Sequence, residues 1–130
     1  MPMLRKQKFI TREDLQANPD TLYVFGDNER RRGYGGQAKA MRGEPNAVGV
    51  RTKRKPARTS PDDFWTDDTY EQNCRLIAED LAPVFAHLRA GGHVVLPEDG
   101  LGTGLAELPT RAPRTFAYLQ EQLQRLETTA

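Results

Sequence analysis

Short apolar runs alternate along the chain with longer segments in which apolar residues recur every three or four positions. Leu22 to Phe25, Ala47 to Val50 and His93 to Pro97 are compact runs carrying β-branched or aromatic side chains, each bounded by glycine, asparagine or charged residues. Such runs, lacking a polar residue at every second position, predict strands covered on both faces. The first is expected to end at Phe25, before Gly26, Asp27 and Asn28, and a weaker edge-strand signal covers Arg5 to Ile10. Tyr70, Cys74, Ile77, Leu81, Val84 and Leu88 keep helical spacing, predicting one long helix from Thr69 to about Ala90, capped by Asp67 or Asp68 and kinked at Pro83. Phe116, Leu119, Leu123 and Leu126 predict a final helix with Thr110 as its cap. Thr11 is placed to cap a short first helix, and Gln37 to Met41 are helix formers that end at Gly43. Strand, helix and strand joined by short turns imply right-handed crossovers and parallel strands. The fold class is therefore a small α/β domain: three layers, α/β/α, with a mostly parallel sheet.

Parallel strands bring their C-terminal ends to one edge of the sheet, where open α/β sheets bind ligands. The loops leaving that edge are Gly26–Gly36, Arg51–Trp65 and Glu98–Pro109; those at the opposite edge are short and chemically plain. Two of the three are rich in glycine, and in Arg51 to Arg58 five of eight residues are basic. Glycine lets backbone N–H groups approach a ligand closely, and the first N–H groups of a helix lack partners, so the pattern suits a phosphate. The residues expected to hold the ligand are Gly26, Gly33, Tyr34, Gly35 and Gly36 in the first loop and Gly100, Leu101, Gly102, Thr103 and Gly104 in the last. Arg51 and Lys53 are expected to offset phosphate charge. Asp27, Asn28 and Asp99 are the groups able to orient a ribose or a water, and so the candidate catalytic residues. Phe64 and Trp65 suit either stacking on a base or anchoring the middle loop to the core.

Composition narrows the setting. At 130 residues and 37% hydrophobic the chain can bury one core, so residues 1–130 are expected to form one domain. The lone cysteine, Cys74, excludes an internal disulfide, lies on the apolar stripe of the long helix and points to a reducing, cytoplasmic setting. No stretch has the length and apolarity of a membrane span. His87 and His93 have no partner pattern, and no metal or cofactor is expected. A net charge of +1 gives no global pull toward nucleic acid, which leaves only the local basic run Arg51–Arg58, with Arg30 to Arg32, for such a partner.

The first loop, with Asn28 ahead of Gly33, Gly35 and Gly36, and the later Gly100, Gly102, Thr103 and Gly104 together resemble the macro domain family of ADP-ribose-binding modules and ADP-ribosyl hydrolases. The whole chain also resembles a bacterial and phage family of unassigned function. The macro-domain resemblance implies that the first loop wraps the distal ribose beside Asn28 while the second cradles the diphosphate. It implies a macro-domain-like fold and binding of ADP-ribose or an ADP-ribosylated macromolecule, with cleavage of a glycosidic bond at ribose C1 left open. A second resemblance, through Leu96, Pro97, Gly102, Thr103 and Glu107, is to nucleotide phosphoribohydrolases of the lysine-decarboxylase-like group, in which a glutamate handles the ribose. A non-catalytic binder of a nucleotide signal is the third reading.

Overall fold

The computed structural model describes residues 3–130, in the order β1 (Met3–Gln7), α1 (Arg12–Ala17), β2 (Thr21–Asn28), α2 (Ala38–Met41), β3 (Ala47–Lys53), α3 (Tyr70–Arg89), β4 (His93–Pro97), α4 (Leu108–Arg111) and α5 (Pro113–Thr129). Two one-turn 3-10 helices, Pro61–Asp63 and Asp67–Thr69, lie in the connection between β3 and α3. The four strands form one parallel sheet in the order β1-β4-β2-β3. With right-handed crossovers, the connections that advance across the sheet and the one that returns must run over opposite faces. The packing obeys this. Leu15 and Met41 from α1 and α2 bury against Tyr23, Phe25 and Val95, whereas Ile77, Leu81, Leu88, Leu119 and Leu126 from α3 and α5 bury against Val24, Val50, Val94 and Leu96. Successive strand residues thus feed opposite layers, and the sheet is the middle of three. Among the described residues no helix is long and apolar enough to cross a membrane.

Three expected strands shift their bounds, the first lying at Met3–Gln7 rather than Arg5 to Ile10 because its pairing with β4 spans those residues. The second strand does not stop at Phe25 but continues through Asn28, because its partner β3 also continues, through Arg51 to Lys53; pairing runs to Asn28 opposite Lys53, with a bulge between Asp27 and Asn28. Asp27 and Arg51 are therefore paired strand residues, not loop residues. Capping differs as well. α3 starts at Tyr70 and its N-cap Thr69 makes no side-chain cap, and Asp67 serves α5 instead: its carboxylate accepts from Arg114 N at 2.8 Å, from Thr115 N at 2.9 Å and from Thr115 Oγ1 at 2.8 Å. Thr110 lies inside α4, a single turn that precedes α5, so it cannot cap the final helix. Burial raises the Asp67 carboxyl's pKa, but these hydrogen bonds and the neighbouring Arg114 charge more than offset it, leaving it below the usual carboxylate value. Helix α3 runs on through Pro83. Cys74 is half-buried, and desolvation raises its pKa, as befits an unreactive packing residue.

Candidate functional site

β2 and β4 are hydrogen-bonded neighbours only from Thr21 to Tyr23; beyond that point they part. β2 leads to α2 on one face and β4 toward α5 on the other, so a crevice opens between them at the C-terminal edge. Gln37 spans it. Its side-chain amide accepts from Gly26 N at 2.8 Å and donates to the Gly100 carbonyl at 2.9 Å, standing in for the peptide group that a continued strand pair would supply. The two glycine loops are thereby tied to one another.

A cleft of about 310 Å³ lies at this junction, at the small end of the ~300–1,000 Å³ range of small-molecule sites. Gly26, Asp27 and Asn28 form its floor, Gly33, Gly35 and Gly36 one wall, Gly102, Gly104, Leu105 and Ala106 the other, and Thr52, Lys53 and Pro56 close the end. All three loops expected to share a site thus meet in one cavity. The joints between them are specific. Arg58 pairs with Glu107 at 2.9 Å, the Arg111 guanidinium lies 3.7 Å over Phe64, and Trp65 donates to Glu29 at 2.7 Å. Chiefly the Arg58 hydrogen bond holds the Glu107 carboxyl below its usual pKa. Among the described residues no acceptor pairs with the backbone N–H groups of residues 33–37 or of residues 101–106. Leu105 reaches across the gap, its Cδ1 lying 2.9 Å from where a Cβ on Gly35 would stand, so a side chain at that glycine would meet it.

The polar groups beneath are already engaged. Asp27 Oδ1 accepts from its neighbour Asn28 N at 2.8 Å and from Arg42 Nη2 at 2.5 Å, and Oδ2 accepts from Arg31 Nη1 at 3.1 Å and Arg42 Nη1 at 3.3 Å. Asn28 folds the loop that follows, accepting from Arg30 N and donating to the Arg32 carbonyl. Arg42 also donates to the Gly33 carbonyl at 2.7 Å, so one side chain clamps both ends of the turn. Lys53 is buried; its ammonium donates to the carbonyls of Lys55 at 2.6 Å, of Asp63 at 3.2 Å and of Ala57, and sits 4.3 Å over the Phe64 ring. Desolvation lowers its pKa. This ammonium is the hub on which the basic loop folds.

Several expected residues lie elsewhere. Arg51 turns away from the cleft to bind Asp80 of α3 at 2.9 Å and Glu79 at 3.2 Å, and hydrogen bonding to Asp80 raises its pKa. Asp99, Gly100, Leu101 and Thr103 sit behind the cleft wall: Leu101 is core, Thr103 Oγ1 donates to the Asp99 carbonyl at 2.8 Å, and Asp99 opens onto a separate hollow beside α5. Tyr34 is exposed and outside the cleft lining. Phe64 and Trp65 are buried, so of their two readings the structure takes the core anchor. Sequence reasoning took Gln37 only as a helix former and Arg32 only as part of a possible nucleic-acid contact, and passed over Arg42. The available signal was position: a long amide at the head of a helix just after a glycine turn, and an arginine at the end of that helix.

No curated protein and no solved structure matches the chain. A family model does match, over residues 5–122, nearly the whole chain. The chain belongs to that family, the family of unknown function DUF7831.

Proposed function

We propose that the cleft binds ADP-ribose or a related nucleotide diphosphate. One observation carries the reading: Gln37 holds two glycine loops together so that residues with unpartnered N–H groups, 33 and 35–37 from one loop and 102 and 104–106 from the other, line a single cavity. A phosphate supplies the acceptors such groups lack, and unlike a metal site the cradle needs no ligating side chain. The likeness of the two loops to those of macro domains points to the same ligand class. The helix contribution is small, because α2 is a single turn.

Binding is better supported than bond cleavage. Both oxygens of Asp27 face arginine donors, the Asn28 amide is used at both ends, and Asp99 opens onto another surface, so none of the three is poised to take a proton from water. Nucleic-acid binding by the basic run is weakened in the same way, since Arg51, Lys53 and Arg58 are each paired within the fold. Thermal unfolding with saturating ADP-ribose tests the proposal. A ligand that binds only the folded chain at about 100 times its Kd stabilises by about 2.7 kcal/mol, a shift of several degrees. The midpoint is expected to rise with ADP-ribose and to rise less with AMP or ribose 5-phosphate; no rise with any of them contradicts the reading.

A further inference from the structure

Four charged side chains line the cleft: Asp27, Arg32, Arg42 and Lys53. Three are committed to the fold. Asp27 is held by Arg31, Arg42 and the Asn28 N–H; Arg42 is held by Asp27 and by the carbonyls of Gly33 and Arg32; Lys53 is held by three carbonyls. Arg32 differs from all of them. Its backbone is pinned, the carbonyl accepting from Asn28 Nδ2 at 2.8 Å and from Arg42 Nη2 at 3.2 Å. Its guanidinium is exposed at the rim and, among the described residues, pairs with no carboxylate, carbonyl or ring. The residues that follow it carry the unpartnered N–H row.

The lining also lacks something. Nucleotide sites that read ribose commonly present a carboxylate to the diol. Here the lone lining carboxylate already receives four N–H donors. Leu105 and Ala106 on the opposite wall and Pro56 at the end offer apolar side chains rather than acceptors.

We infer that this cleft selects its ligand by phosphate and not by ribose, and that Arg32 is the specificity-determining residue, closing on the phosphate as a two-pronged donor above the Gly33–Gln37 N–H row. The inference rests on the nucleotide-site reading and adds to it which part of the nucleotide is recognised. A guanidinium fork suits phosphate oxygens because two parallel N–H donors engage two oxygens at once. The pinned Arg32 backbone limits the ordering cost to the side chain itself.

The test is calorimetric titration of the wild-type chain, Arg32→Gln and Arg32→Lys with ADP-ribose, inorganic pyrophosphate and adenosine, each at low and high salt. The wild type is expected to bind ADP-ribose and pyrophosphate, with adenosine at least about 100-fold weaker, and both anions are expected to weaken as salt screens the contact. Arg32→Gln is expected to weaken both anions about 10- to 100-fold, the loss of one charge-assisted contact, and to flatten their salt dependence. Arg32→Lys keeps the charge without the fork and is expected to fall between them. Because the Arg32 side chain makes no hydrogen bond, ion pair or ring contact among the described residues, the unliganded melting midpoint should barely move, which separates lost binding from lost structure. If Arg32→Gln binds ADP-ribose as the wild type does, or adenosine matches ADP-ribose, the inference falls while the nucleotide site stands. Silence of the wild type toward both anions overturns the site and the inference together.

Discussion

The basic loop after β3 and the first glycine loop after β2 leave the same sheet edge; in sequence the basic loop has more cations, and the glycine loop has the pattern suited to a phosphate. The fold sharpens the difference. Arg51 is drawn to Asp80, Lys53 is buried under three carbonyls and Arg58 is paired with Glu107, so most of that loop's positive charge is consumed in holding the loop's own shape. The glycine loop carries fewer charges, yet its N–H groups from Gly33 to Gln37 and the Arg32 guanidinium have no partners among the described residues. What an anion meets is the donor capacity left over after folding, not the number of basic residues in a segment. A cation that neutralises buried carbonyls or carboxylates is part of the scaffold.

Substitutions can break this contrast, and the largest effect is expected at its hub. Lys53→Met removes the ammonium, leaving the carbonyls of Lys55 and Ala57 without a donor and that of Asp63 with Lys55 N alone, three lost hydrogen bonds each worth about 1 kcal/mol. Urea denaturation should show a loss of about 3 kcal/mol, with residues 54–63 becoming sensitive to protease; a stable, protease-resistant variant would mean the loop is held by other means. Gly49→Ala acts on the brace beneath the glycine loop. A Cβ there would stand 2.5 Å from Asp27 Oδ2 and 3.1 Å from Arg31 Nη1, so the carboxylate must move off its arginines. The expected cost is about 1–3 kcal/mol, read as a lowered melting midpoint.

Gln37→Leu sharpens the comparison from the other side. It leaves Gly26 N and Gly100 O without their shared partner, for a loss of about 2 kcal/mol. It also frees the two N–H rows from their common register, so ADP-ribose affinity should drop about tenfold; unchanged affinity would show that the clamp is not what assembles the site. The smallest effect concerns acid. Asp67 has a folded-state pKa below its unfolded value near 3.8, so its contribution is present above that value and lost as pH falls through the folded pKa. As pH falls below about 4 the wild type should lose more stability than Asp67→Asn, as measured by thermal unfolding at successively lower pH.

Much of the scaffold was legible from the apolar runs, because strands covered on both faces cannot hide their pattern: Tyr23, Val24 and Phe25, or Val94, Val95 and Leu96, are all core. The shared edge of the three loops followed from parallel topology alone. What sequence could not supply was side-chain direction at the ends of elements. Arg51 and Lys53 are neighbours in the chain with one residue between them, yet β3 is an edge strand, so Arg51 reaches around it to α3 while Lys53 is covered by the loop it organises. In the same way Asp67, nearest in sequence to α3, caps α5, which is 46 residues further on at Pro113 and adjacent only in space. Gln37 was read by its helix propensity, a local property, whereas its role depends on where two parallel strands part.

Amide chemical shifts of the isotope-labelled chain during titration with ADP-ribose test the central claim most directly. Binding at the cleft predicts that residues 33–37 and 101–106 shift together, with one common dissociation constant, and by more than residues 54, 55, 57 and 58. Shifts confined to the basic loop, or none at all, would contradict it.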